Sequence, residues 1–315
     1  VRTLILGGTG FVGSHLAEAA LAAGHEVSLT GRGALGSRLA GVSERVRFQP
    51  LEICDGEAVS ELIRELRPDR VHHLAGFASQ SDSFGAEEEV YRTNVLGTLN
   101  VLRAMRAHAP KGRLLVVGSG AEYGNVPEAQ QPISESQPLA PASPYAVSRA
   151  ASSLMALQQA RSHGLWALVA RTFNLVGPRQ SRSYALADWA AQIARAARAG
   201  LSEVVVQTGD IDVCRDYSDV GDGVAAYLEL LETGEPGRAY NVCSSRMVRL
   251  SDLLDGLGGA AGLRVHAVQD SARFRVSDLR QVCGDNSALR LATGLSFRPV
   301  EEALVSLVRY WCEQL

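Results

Sequence analysis

The chain has 315 residues, 46% of them hydrophobic and 21% charged, which supports a large core in one domain or two intertwined lobes. A formal net charge of -3 excludes a nucleic-acid binder of the usual basic kind, so any anion site must come from local arginines. The cysteines Cys54, Cys214, Cys243, Cys283 and Cys312 lack metal-ligand spacing and read as free thiols of a reducing compartment, with no metal expected. There is no run of 18 apolar residues and no signal peptide, so a soluble cytoplasmic protein without membrane contact is expected.

Residues 3–6 form a short apolar strand. Gly7, Gly10 and Gly13 follow, and residues 14–23 read as a helix ending at Gly24. Glycines allow a tight turn and let backbone N–H groups at the helix start, around Phe11, Val12 and Gly13, approach a pyrophosphate. A plain strand-to-helix turn would have the same spacing. The next strand, 26–30, ends in Thr30-Gly31-Arg32. A dinucleotide-binding unit would place an acid there for the adenosine ribose 2′-OH. No acid is present, and Arg32 could instead pair with a 2′-phosphate, which points to NADPH over NADH. An exposed loop arginine would look the same.

Residues 46–51 look like a third strand, after which Glu52, Ile53 and Asp55 could flank an adenine. Residues 58–66 are helical. A fourth strand from Arg70 ends in Leu74, Ala75 and Gly76, again suited to close ligand approach. His72 and His73 point to opposite faces of it, which favours packing over a shared metal. Residues 87–107 read as one long helix.

The apolar run 114–117 is a buried strand that stops in Gly118-Ser119-Gly120-Ala121-Glu122-Tyr123-Gly124. In open α/β sheets that carboxyl edge is where ligands bind. A Pro-rich loop leads to Ser143-Pro144-Tyr145-Ala146-Val147-Ser148-Arg149, the start of an Ala-rich helix running to about 162. Tyr145 and Arg149 share one helix face. A cation beside a phenol stabilises the phenolate. Ser119 could hydrogen-bond the same substrate oxygen, which makes a proton-relay site for a carbonyl/alcohol couple.

A strand at 165–171 places Asn174 near its carboxyl end. Helices follow at 186–199, 220–232, 250–257 and 301–312. Strands are expected at 204–206 and 239–243, the latter returning to the main sheet. Residues 210–219 form a charged loop or strand, and 273–278 a basic, exposed-looking segment. The pattern predicts an α/β fold: a Rossmann-type, doubly wound parallel sheet from 1–177 plus about 220–243. A smaller interwoven substrate-binding lobe spans about 178–219 and 244–298, with a C-terminal helix in 299–315.

Together, Gly7/Gly10/Gly13, the Ser119 strand end, Tyr145-x-x-x-Arg149, Arg171-Thr172-Phe173-Asn174-x-x-Gly177-Pro178, Arg215-Asp216-Tyr217 and Tyr240-Asn241-Val242 resemble the extended short-chain dehydrogenase/reductase family, in its nucleotide-sugar branch. Segments 118–124 and 240–244 are similar to its reductases of GDP-4-keto-6-deoxy-D-mannose, which form GDP-D-rhamnose. The resemblance implies an NAD(P)-dependent oxidoreductase acting on a nucleotide-4-keto-6-deoxy sugar, with NADPH as cofactor and NADH as the alternative. It implies catalysis by Ser119, Tyr145 and Arg149. It assigns the cofactor to Gly7, Gly10, Phe11, Val12, Gly13, Arg32, Glu52, Ile53, Leu74, Ala75, Gly76, Tyr145, Arg149 and Thr172. Substrate contacts fall to Ser119, Glu122, Asn174, Arg179, Arg215, Asn241, Arg275 and Asp278. A homodimer through the helices at 87–107 and 145–162 is also implied.

Two departures bear on the chemistry. Related 4,6-dehydratases carry an acid directly after the catalytic Ser or Thr, where this chain has Gly120 and Ala121. The family has lysine at the position of Arg149, where it stabilises the phenolate and bonds the nicotinamide ribose; arginine keeps the charge in a longer, planar form. The alternatives are a nucleotide-sugar 4-epimerase or dehydratase, and a catalytically impaired cofactor-binding protein.

Overall fold

The computed structural model describes residues 1–270 and 280–315. The apolar runs of the first half become β1 (Arg2–Leu6), β2 (Glu26–Gly31), β3 (Val46–Pro50), β4 (Arg70–His73), β5 (Arg113–Ser119) and β6 (Ala167–Thr172). Between them lie α1 (Phe11–Ala22), α2 (Gly56–Leu66), α3 (Glu87–Tyr91), α4 (Gly97–His108) and α5 (Pro144–His163). The second half adds β7 (Asn174–Val176), α6 (Ala185–Arg198), β8 (Glu203–Thr208), β9 (Cys214–Asp219), α7 (Val220–Thr233) and β10 (Ala239–Val242). It ends with β11 (Met247–Arg249), α8 (Leu250–Ala261), β12 (Arg264–Gln269), β13 (Gln281–Val282), α9 (Ser287–Thr293) and α10 (Val300–Gln314).

Seven strands pair in the order β10-β6-β5-β4-β1-β2-β3, all parallel, so the fold is the expected doubly wound α/β sheet. Helices cover both faces, which is why β1 and β5 read as continuous apolar runs rather than alternating ones. Leu4, Ile5, Leu6, Leu114 and Leu115 are fully buried, each contributing roughly 1.5–3 kcal/mol of burial. Strand order reverses between β1 and β4, which opens a crevice at their carboxyl ends.

Two local features set the site. Ser143 caps α5 by accepting the Ala146 N–H at 3.1 Å, Pro144 occupies the first turn, and Gly164 (φ 67°) ends the helix. Tyr145 is thereby fixed in the first turn of α5. The helix expected at 87–107 is interrupted: a wide π-type turn over Arg92–Leu96 joins α3 to α4. Such turns are frequent at functional sites.

The remaining strands form smaller sheets. β9 lies between β11 and β13 and also pairs with β7, while β8 pairs with β12. A separate apolar cluster that includes Trp189, Leu253, Leu257, Leu304 and Leu307 joins α6, α8 and α10. The segment 273–278, with Arg275 and Asp278, lies outside the described residues. Among the described residues no helix is long and apolar enough to cross a membrane.

Candidate active site

Ser119 is the last residue of β5 and lies opposite Thr172, the last residue of β6. Its hydroxyl accepts the Ala121 N–H at 3.2 Å, and its own N–H donates to Glu122 Oε1 at 2.8 Å. This reciprocal capping box holds the strand end in one conformation. Arg149 is brought against the same strand: Nη1 donates to the Val117 carbonyl at 3.1 Å and Nη2 to the Phe77 carbonyl at 3.2 Å. Only 7% of Arg149 is exposed, and its Cζ lies 5.4 Å from the centroid of the Tyr145 ring. Serine, tyrosine and arginine thus gather at the carboxyl edge of β5. The guanidinium stands over the tyrosine ring, and its buried Nε has no partner among the described residues.

Phe77 is gripped on both sides. Asn94, in the π-type turn, accepts the Phe77 N–H at 2.7 Å, donates to its carbonyl at 3.3 Å and donates to Ser148 Oγ at 2.8 Å. Sequence reasoning gave Asn94 no role. The available signal was an asparagine inside a helix, where its propensity is poor. Tyr227 on α7 was also missed. Its hydroxyl pairs with Thr172 Oγ1 at 2.7 Å, and burial pushes its phenol far above the usual range.

The crevice fits a dinucleotide. Gly7 has φ 83°, and a Cβ there would stand 2.7 Å from the Ala75 nitrogen, so the turn packs directly on the segment after β4. A Cβ on Gly13 would stand 2.7 Å from Gly8 Cα. Gly10 caps α1 without a side chain, and helical bonding starts with the Ser14 N–H donating to the Gly10 carbonyl. The N–H groups of Phe11, Val12 and Gly13 therefore have no acceptor within the helix and are disposed for phosphate oxygens. Gly76 packs closely as well: a Cβ there would meet Asn94 Oδ1 at 2.7 Å and Arg149 Nη2 at 2.8 Å, so both anchored side chains would have to shift. Around the crevice, Glu52 is exposed and accepts the Cys54 N–H, while Ile53 is buried beside Gly97. Asp55 caps α2. Arg32, just past β2, is exposed and pairs with Glu89 at 3.5 Å.

Three expected substrate contacts are engaged within the protein in this structure. Glu122 is fully buried and faces inward: Oε1 also accepts Ser153 Oγ at 2.8 Å, and Oε2 accepts Arg171 Nε at 3.0 Å. Burial pushes its carboxyl up, while Arg171 and the hydrogen bonds from Ser119 and Ser153 pull the other way. Asn241 is fully buried too, accepting the Tyr123 hydroxyl at 2.7 Å and donating to the Ile133 and Asp285 carbonyls. Arg171 donates to the Tyr123 hydroxyl at 3.0 Å, so one polar chain runs from Ser119 to the loop beyond β13. Arg179 is committed to α1: it forks onto Glu18 at 2.6 and 2.8 Å and reaches His15 Nδ1 at 2.9 Å. Asn174 is exposed and donates to the Asp216 carbonyl at 2.9 Å. Arg215 is half-buried on β9. Its neighbour Asp216 is held by Ser244, Ser245 and Gly284.

His72 and His73 behave as packing residues. Both are buried, and desolvation holds each down to about 3.

A parallel sheet with a glycine turn after β1, and a Tyr-x-x-x-Arg helix against a serine at the end of β5, defines a Rossmann-type oxidoreductase of the extended short-chain dehydrogenase/reductase class. The chain belongs to the NAD dependent epimerase/dehydratase family, whose model matches residues 3–243. It is 37% identical over 313 residues to GDP-6-deoxy-D-mannose reductase of Pseudomonas aeruginosa, covering 98% of this chain and 97% of the relative. The structure of RMD from Pseudomonas aeruginosa complexed with NADPH superposes with a TM-score of 0.87 at 36% identity, covering 100% and 99% of the two chains. The UDP-glucose 4-epimerase of Thermus thermophilus in complex with NAD does so with a TM-score of 0.87 at 30% identity, covering all of both.

Proposed function

We propose that this chain reduces a nucleotide-linked 4-keto-6-deoxy sugar with NADPH, converting GDP-4-keto-6-deoxy-D-mannose to GDP-D-rhamnose. The observation that carries the reading is the 37% identity across nearly the whole length to a GDP-6-deoxy-D-mannose reductase. The end of β5 agrees with it: Gly120 and Ala121 offer no proton-transfer group, so the elimination catalysed by a dehydratase has no acid here. The glycine turn, the first turn of α1, Leu74 to Gly76 and Arg32 would hold NADPH, which when bound would supply the hydride for C4. Tyr145 gives its proton to the oxygen on C4. Ser119, held by its capping box, donates a hydrogen bond to the same oxygen, and the Arg149 charge favours the phenolate that remains.

On this reading the sugar nucleotide lies between the carboxyl edge of the main sheet and a lobe built from about 178–219 and 244–298, against Asn174 and Arg215. Arginine suits diphosphate through its forked donors. The protein acts as a homodimer in the cytoplasm. In support, Tyr91, Leu96, Val147 and Leu154 leave apolar surface exposed on α3, the turn after it, and α5.

The UDP-glucose 4-epimerase relatives favour a second reading, in which tightly held NAD is recycled without net oxidation. Incubating the protein with NADPH and the GDP-linked 4-keto sugar separates the two. Stoichiometric loss of NADPH absorbance with formation of a GDP-6-deoxyhexose is expected. No loss of NADPH with that substrate, together with interconversion of the 4-epimers of a nucleotide-linked 4-hydroxy hexose without cofactor consumption, would establish the epimerase instead.

A further inference from the structure

The adenosine end of the crevice contains an arrangement that the class alone does not explain. Gly31, where an acid for the ribose 2′-OH would stand, has its Cβ space filled by Thr9, whose Cγ2 lies 2.8 Å from that point. A side chain at 31 would require Thr9 to move, and with glycine there the end of β2 supplies no acid. A carboxylate reaches the area from elsewhere. Glu89, in the first turn of α3, pairs with Arg32 Nη1 at 3.5 Å, linking the end of β2 to α3. Both side chains are well exposed, at 72% and 55%, so the pair contributes little to folding and is open to competition by a ligand.

We propose that Arg32 and Glu89 form a two-sided selector for the cofactor's adenosine ribose, with Glu89 replacing from α3 the acid that β2 lacks. This rests on the cofactor reading above and deepens it. With NADH, the Glu89 carboxylate accepts the ribose 2′-OH and stays beside Arg32. With NADPH, the 2′-phosphate takes the Arg32 guanidinium and meets the negative charge of Glu89, with Glu87 and Glu88 in the same turn adding to the field. Arg32 favours NADPH, and Glu89 keeps that preference small. The same two side chains therefore admit both cofactors.

The test is direct titration of NADPH and NADH into the full chain without sugar substrate, by calorimetry or cofactor fluorescence, for the unmodified protein, Glu89→Gln and Arg32→Ala. Glu89→Gln is expected to tighten NADPH about threefold to tenfold and to weaken NADH by a few fold, since one like-charge contact is lost and the hydrogen bond from the 2′-OH no longer has a charged acceptor. Arg32→Ala is expected to weaken NADPH by tenfold or more and to leave NADH within about twofold. If Glu89→Gln does not move the two affinities in opposite directions while Arg32→Ala still weakens NADPH, the selector is wrong and the assignment of Arg32 stands. If Arg32→Ala leaves NADPH unchanged, the assignment of Arg32 fails, and the selector fails with it. Both sites are exposed, so thermal midpoints should match the unmodified protein.

Discussion

Arg149→Lys keeps the positive charge beside Tyr145 and removes the planar fork. In the structure that fork bridges the carbonyls of Val117 and Phe77, at 3.1 and 3.2 Å, across the gap between β5 and the segment after β4. Lysine is shorter and presents its donors from a single nitrogen. It cannot reach both carbonyls from the helix position of residue 149, so at least one buried acceptor is left without its donor. Such a group costs about 1–3 kcal/mol. For domains of roughly 150–250 residues each kcal/mol lowers the thermal midpoint by about 2–4 °C, so a fall of roughly 2–12 °C is expected. Phe77 is also held by Asn94, so the peptide shifts rather than swings free. Gly76, whose open side faces Arg149 Nη2, shifts with it. Displacing a fixed charge and the cofactor-lining segment together should lower turnover about tenfold or more. The assay is NADPH oxidation with the GDP-linked 4-keto sugar, paired with thermal melts. Higher turnover with an unchanged midpoint would show this chain of effects to be wrong and mark Arg149 as a defect in an impaired enzyme.

Glu122→Gln should be costly because the residue is fully buried against Arg171: it leaves Arg171 buried without its carboxylate, a loss of about 3–5 kcal/mol in denaturant titration. Ser153→Ala, which removes one donor to the same carboxylate, should lower kcat with little change in KM, and an unchanged kcat would disconnect the network from Ser119. The histidines predict an acid limb of stability. His72 is held down to about 3 against its ordinary value of 6.5, so between those values the unfolded chain binds a proton that the folded one does not. Stability therefore rises with pH through that window and is lost as pH falls, by about 1.4 kcal/mol per unit for one such group. His72→Leu should flatten the pH dependence of the urea midpoint by that amount between pH 4 and 6, and an identical slope in both proteins would count against it. Leu154→Glu on α5 should convert a dimer to monomers in sedimentation at micromolar concentration; a monomer before substitution would remove the case for that interface.

Much of the fold could be read from residue pattern because its strands are buried on both faces. Runs such as 3–6 and 114–117, each followed by small residues and then a helix, have few other ways to satisfy their backbones. β7, β11 and β13 were not legible: they are two or three residues long and exist only through pairing with β9, which local propensity does not encode. The break in the 87–107 helix was missed because the π-type turn is set by Asn94 reaching Phe77, a tertiary contact. At the proposed site, Ser119, Tyr145 and Arg149 were singled out from spacing and strand position. Glu122 was read as a substrate contact from its nearness to Ser119, whereas Ser119-x-x-Glu122 also carries a capping-box pattern that turns the carboxylate inward. Arg179 looked free for phosphate because nothing local pairs it; its partner Glu18 lies 161 residues away.

In the proposed reaction Tyr145 protonates a C4 oxygen during net reduction of a GDP-linked 4-keto-6-deoxy sugar. This step is checked by following NADPH oxidation, with the product identified by NMR, for the unmodified protein and for Tyr145→Phe, which removes the donor and keeps the ring beneath Arg149. One GDP-D-rhamnose should form per NADPH consumed, with turnover at least about 100-fold lower in Tyr145→Phe and substrate binding nearly unchanged. Equal turnover in the two proteins, or no product from the unmodified protein under saturating substrate and cofactor, would overturn the assignment.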